Sequence, residues 1–262
     1  MSLKTRLAAA AAAAAIAGLL AAGLGASHRK VLPSEQLAAL PAAPGPALQV
    51  GKPVGLPTGR YLSRWTVVRR PTLAHAAPAA SSAVVARLAA STPEGTRNLL
   101  PVLRVVSSDT AALWVKVRLP VLPSGSVGWV PRRALGPYET VNTRLVVDRG
   151  DLQATLYRQG KIVFAAPVGV GTDAWPTPAG EFSVRSKLTR YASPFYGPLA
   201  FGTTARSDVL TDWPGGGFVG IHGTNEPQLL PGRISHGCVR LRNRDLLRLA
   251  ALMPIGTPMT IR

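Results

Sequence analysis

The amino-acid sequence predicts a mainly β protein, with a small barrel of short strands followed by a larger β domain that carries one short helix. Three observations predict this. Short β-type runs alternate with turn clusters between Tyr61 and Tyr138. After Asn142 the apolar residues alternate with period two, as in Leu145/Val147 and Leu152/Ala154/Leu156, the pattern of half-buried strands. Helical periodicity occurs near the C-terminus, where Leu246, Leu247, Leu249, Ala250 and Met253 share one face.

The chain opens with Lys4 and Arg6, an apolar run from Leu7 to Leu24, and the small residues Gly25, Ala26 and Ser27. This is the layout of a secretory n-region and h-region, so residues 1–26 are expected to be a signal peptide or a signal anchor. The run is close to the shortest helix that spans a bilayer, but most of it is alanine and no good small-x-small cleavage site follows. Cleavage and anchoring therefore remain alternatives. Either way the expected location is extracytoplasmic, in a periplasm or cell wall, with membrane contact only through this segment if it stays uncleaved. Residues 27–60 follow with Pro33, Pro41, Pro44, Pro46, Pro53 and Pro57 among Ala and Gly, a semi-extended linker.

Within residues 61–140, Trp65 to Val68, Val84 to Leu88, Leu100 to Val106 and Leu113 to Val117 read as strands. The segment Pro123 to Pro131 reads as a turn between two strands, with Ser124-Gly125 at the bend. Trp114-Val115-Lys116-Val117-Arg118-Leu119-Pro120 together with Gly128-Trp129-Val130 resembles bacterial SH3-like modules that accompany cell-wall enzymes. Residues 141–262 continue with strands over Arg144 to Asp148, Leu152 to Tyr157 and Lys161 to Val168, the last two joined by Arg158-Gln159-Gly160. Asn243 is the expected N-cap of a helix over Asp245 to Met253, and Met259 to Ile261 closes the chain as a strand.

The formal net charge is +18, of which +12 falls in residues 1–140 and +6 in residues 141–262. No Lys/Arg-rich run or array of stacking aromatics accompanies it, so nucleic acid is not the expected partner. Polyanions of the cell envelope and anionic headgroups fit better.

Cys238 is the only cysteine. In an exported chain an unpaired thiol is either reactive or a buried core residue. It stands in Ser235-His236-Gly237-Cys238-Val239-Arg240, with Ile221-His222-Gly223-Thr224 upstream. A thiol attacks as thiolate and needs a base, and either His222 or His236 can serve by sequence alone. On an extended strand His236 would share a face with Cys238. Acyl transfer also needs backbone donors for the developing oxyanion, and the amides of Gly237 and Cys238 are the candidates. A zinc site of His222, His236, Cys238 and water is the competing reading, but no carboxylate or second cysteine stands at ligand spacing.

These two segments resemble the signature of the YkuD-type L,D-transpeptidases. Pro176-Thr177-Pro178-Ala179-Gly180-Glu181-Phe182 is similar to the Thr-Pro-x-Gly-x-Phe segment of that family, and the resemblance runs from about Asn142 to Arg262. It implies a β-sandwich or flattened-barrel catalytic domain with one short helix after the cysteine strand. It implies Cys238 as the acylated nucleophile, His222 as the base oriented by the Gly223 carbonyl, and an oxyanion hole at His236, Gly237 and Cys238. His236 then becomes a structural or substrate-facing residue. Arg240 and Ser235 are expected on the substrate side, Arg240 meeting a carboxylate, and Tyr191, Trp213, Phe195 and Tyr196 are candidates for a lid.

The implied substrate is a peptidoglycan tetrapeptide stem, cleaved with release of D-alanine and passed to an amine of a neighbouring stem. Water as acceptor gives an L,D-carboxypeptidase, and a non-catalytic wall-binding protein is the alternative outside enzymes. Neither a metal nor an organic cofactor is expected, and the SH3-like module is a candidate contact for wall polymer.

Overall fold

The computed structural model describes residues 61–107, 112–189, 194–210 and 217–262. The expected leader over residues 1–26 and the linker over 27–60 lie outside the described residues. The described residues fall in one compact unit, in which their strands form two sheets.

The first sheet holds seven antiparallel strands: β1 (Ser63–Val67), β2 (Thr72–His75), β3 (Val84–Leu88), β4 (Leu99–Ser107), β5 (Leu113–Arg118), β6 (Val127–Pro131) and β7 (Glu139–Val141), in the order β3-β2-β6-β5-β4-β1-β7. The four strands read from the sequence correspond to β1, β3, β4 and β5, while β2 and β7 are too short to carry a pattern. Val115 and Val117 point into a core with Leu100, Val102 and Val130, so Trp114, Lys116 and Arg118 point to the opposite face.

The second sheet holds β8 (Thr143–Asp148), β9 (Gln153–Arg158), β10 (Lys161–Pro167), β11 (Gly169–Gly171), β12 (Gly180–Leu188), β13 (Ala200–Arg206), β14 (Phe218–His222), β15 (Gly232–Ser235), β16 (Val239–Arg240) and β17 (Pro258–Ile261). Their order is β10-β9-β8-β17-β12-β13-β14-β16-β11-β15. The closing strand β17 lies inside this sheet, parallel to β8 and antiparallel to β12. Leu145, Leu156, Phe182, Phe201, Ile221 and Met259 fill its core, and the single described α-helix, α1 (Asn243–Leu252), buries Leu246 and Leu249 there. Among the described residues no helix is long and apolar enough to cross a membrane.

Asn243 does not cap α1. The N-cap is Arg242, without a side-chain cap bond. The Asn243 Oδ1 instead accepts from the Thr224 N–H at 3.0 Å, so the amide is used outside its own helix.

The two sheets meet through a buried ion pair, Arg185 of β12 to Glu94 at 2.6 Å, where the Arg185 side chain is 2% exposed. The Arg185 guanidinium also lies 3.7 Å from the ring of Phe218, the first residue of β14. Ser124 donates to the Arg206 carbonyl at 3.4 Å beside it.

Candidate active site

The site is assembled by the parallel pairing of β14 with β16, in which Ile221 faces Val239 and His222 faces Arg240. That register sets Gly220 opposite Cys238, and the Gly220 N–H donates to the Cys238 Sγ at 3.3 Å. Because side chains alternate along a strand, Cys238 and Arg240 of one segment and His222 of the other share a face. His222 thus stands one diagonal step from Cys238, although 16 positions separate them in the chain.

The His222 Nδ1 lies 2.7 Å from the Gly223 carbonyl. A carbonyl can only accept, so Nδ1 carries the proton and Nε2 is left as the acceptor. Burial holds the His222 pKa down to about 4, Arg240 adds to the lowering, and the Gly223 bond opposes it. The Cys238 thiol is pushed up by burial, against the lowering from the Gly220 N–H and Arg240. Both shifts favour a neutral thiol and a neutral imidazole at rest near neutral pH over a thiolate–imidazolium pair.

Gly223 is packed too tightly for any side chain, since an added Cβ would collide with the Asn243 Oδ1. Its N–H donates to the Tyr196 carbonyl at 2.8 Å. Asn243 therefore braces the turn that presents His222. The rings of Tyr196 at 4.7 Å and Phe195 at 6.4 Å wall the imidazole.

Arg240 is 6% exposed, not a solvated surface arginine. Its guanidinium lies 4.7 Å from the Phe195 ring and reaches Glu226 only at 4.0 Å, and its buried Nε has no hydrogen-bond partner. A desolvated cation with a free donor, on the face shared by Cys238 and His222, suits a carboxylate.

The extended strand through His236 and Cys238 does not form. Strand β15 ends at Ser235 and β16 begins at Val239, and Gly237 between them adopts φ +106°, a conformation that side chains disfavour. The turn sends His236 outward, exposed, with its ring 4.3 Å from that of Trp175. Ser235 is 1% exposed and faces inward: its hydroxyl donates to the Cys238 carbonyl at 2.6 Å and accepts from the Gly237 N–H at 3.1 Å. Ser235 thus holds the turn instead of offering its hydroxyl to substrate. The Gly237 N–H is engaged there too, whereas the Cys238 N–H enters none of the turn's bonds and is the better oxyanion donor.

In the sequence Thr177 is one residue of the Thr-Pro motif, and the structure gives it a specific place. It is 1% exposed, its Oγ1 accepts from the Gly171 N–H at 2.8 Å and donates to the Gly237 carbonyl at 2.8 Å. The carbonyl of Thr177 is held in turn by Arg149 Nη1 at 2.9 Å. The Thr-Pro motif itself was the signal, since a small hydroxyl between two prolines is fixed in space before it meets its partners.

Tyr191 and Trp213 lie outside the described residues. Among the described residues no three His, Cys, Asp or Glu side chains gather as a metal-binding group, so His222, His236 and Cys238 do not form the zinc set weighed above.

The family model for the YkuD L,D-transpeptidase catalytic domain matches residues 142–261. The chain is similar to the YkuD protein of Bacillus licheniformis, at 31% identity over 123 residues, covering 47% of this chain and 67% of that one. Its Bacillus subtilis counterpart shows 30% identity over 125 residues, 48% of this chain and 68% of that one. A crystal structure of an Enterococcus faecium L,D-transpeptidase mutant is matched at 24% identity with a TM-score of 0.37, covering 46% of this chain and 49% of that one.

Proposed function

Since the chain belongs to the YkuD L,D-transpeptidase family through residues 142–261, we propose that it is an exported cysteine acyltransferase acting on peptidoglycan tetrapeptide stems. The observation that carries this reading is the shared face of Cys238, His222 and Arg240 across the β14–β16 pair.

The chemistry follows from the neutral resting pair. As the Cys238 sulfur attacks the carbonyl of the stem's diamino acid, its proton passes to the His222 Nε2. The Gly223 carbonyl takes the Nδ1 proton bond throughout and steadies the imidazolium that forms. The Cys238 N–H meets the developing oxyanion. Collapse breaks the C–N bond to D-alanine, whose nitrogen takes the proton back from His222, and a thioester remains on Cys238. An amine of a second stem then attacks the thioester, gives its proton to His222, and expels the sulfur, which recovers that proton as the thiol. Arg240 binds a stem carboxylate beside the reacting carbonyl.

The proposed setting is outside the cytoplasm, with the segment over residues 1–26 directing export and the first sheet acting as an SH3-like accessory module. The test is product analysis with a disaccharide-tetrapeptide. The account expects free D-alanine and a cross-linked dimer, both lost in Cys238→Ala. Tripeptide without dimer at high amine acceptor would overturn the transferase assignment in favour of a carboxypeptidase.

A further inference from the structure

The outward face of the first sheet carries an arrangement that stability alone disfavours. Arg104 of β4 and Lys116 of β5 are directly paired across the strands, and Lys116 is in turn paired with Trp129 of β6. Like charges directly opposite each other destabilise an antiparallel pair. Among the described residues no ion pair involves Arg104, Lys116 or Arg118. Lys116 lies over the Trp129 ring at 5.9 Å, and Arg118 follows two residues on along the same face. The Trp114 end of this face opens into a groove of about 1290 Å³ that also takes in His75, Leu113 and Arg133. No run of basic residues marks this surface in the sequence, because Arg104 comes from β4 while Lys116 and Arg118 alternate with Val117 in β5.

We propose that this face binds a linear phosphodiester glycopolymer of the cell envelope, an inference that takes its setting from the wall-directed function above. Two cations at cross-strand separation can close on one tetrahedral phosphate from two sides, with Lys116 acting as a point charge and Arg104 as a fork. The half-buried Trp129 indole supplies a flat apolar surface for a sugar or polyol between phosphates. Nucleic acid fits less well, because single-strand binders offer successive stacking rings, and here Trp114 is 5% exposed, leaving Trp129 as the accessible ring of the row. Binding here would hold the enzyme at the wall without occupying the Cys238 cleft.

The test uses the full chain and titrates it with poly(glycerol phosphate), polygalacturonate, neutral dextran and a thymidine 20-mer, reading Trp fluorescence at several salt concentrations. The expected order places poly(glycerol phosphate) first, with affinity falling steeply as salt rises. The double variant Arg104→Gln/Lys116→Gln is expected to bind it about tenfold or more weakly with a shallower salt dependence. The same variant should melt at an equal or higher temperature, since a repulsive pair is gone, and should form the Cys238 acyl adduct from a soluble stem as the parent does. Equal binding by parent and variant, stronger binding of dextran, polygalacturonate or the 20-mer, or a lowered melting temperature overturns the proposal. Acylation of a chain that ignores the polymer would defeat this inference and leave the enzymatic reading intact, whereas polymer binding without acylation would do the reverse.

Discussion

The Thr177 hydroxyl stands 2.8 Å from the Gly237 carbonyl, one residue before Cys238, and takes the Gly171 N–H at the same distance from the other side. One buried hydroxyl therefore fixes the turn that aims both the thiol and the Cys238 N–H. Replacing it with valine would leave a buried N–H and C=O unpaired, a loss of about 1–3 kcal/mol. Thr177→Val is expected to lower the midpoint of chemical unfolding and to reduce kcat more than it raises KM, while Thr177→Ser retains both. Equal kcat in the valine variant and the parent would show that the turn does not depend on this bridge.

The His222 imidazole is neutral in the fold down to about pH 4, against 6.5 for an ordinary histidine. Below 6.5 the unfolded chain binds a proton that the folded chain refuses. The stabilisation is therefore complete above 6.5 and is lost as pH falls toward 4, by up to roughly 3 kcal/mol. Unfolding by urea between pH 7 and 4.5 should show this slope, and His222→Gln should flatten it. The acid limb of kcat/KM is expected well below 6.5, and a limb at 6.5 or higher would contradict the buried neutral base.

The Cys238 thiol is raised above its usual range by burial. Alkylation by iodoacetamide near pH 7 should be slower than that of an unperturbed cysteine and should quicken as pH climbs. Mass spectrometry of the alkylated chain checks this directly. Rapid alkylation at pH 6, the behaviour of a stored thiolate, is the contrary result.

Arg240 lowers both the His222 and the Cys238 pKa and keeps a buried Nε without a partner. Arg240→Gln should raise both pKa values, visible as an upward shift of the acid limb and of the alkylation profile. It should also raise KM by about tenfold or more, as expected for a charge-assisted bond to a carboxylate. Arg240→Lys should keep the pH behaviour and recover only part of the binding. An unchanged KM in Arg240→Gln would remove Arg240 from the substrate site.

The sequence made the strands legible where one face is buried: β8 and β9 show alternation because Leu145/Val147 and Ala154/Leu156 pack a single face onto a core. It hid the short pieces β2, β7 and β11, which hold too few residues for a period to register. Cys238 stands out as the only cysteine, but its type alone also suits a buried core residue, and its reading as a nucleophile comes from the Ser-His-Gly-Cys resemblance. For the candidate base, local geometry favours His236, two residues away, and only the resemblance points to His222, which the non-local parallel pairing of β14 with β16 brings onto the Cys238 face. Asn243 is a second case of a distant partner. Its type suits a cap, but its partner is Thr224, 19 residues upstream.

The central claim is that Cys238 carries the acyl group. Intact-protein mass spectrometry after incubation with a disaccharide-tetrapeptide tests it most directly. The expected result is an adduct equal to the stem less D-alanine, mapped to Cys238, absent in Cys238→Ala and sharply reduced in His222→Gln. A folded, alkylatable chain that releases D-alanine with no adduct trapped at any time point, or forms the adduct elsewhere, would contradict it.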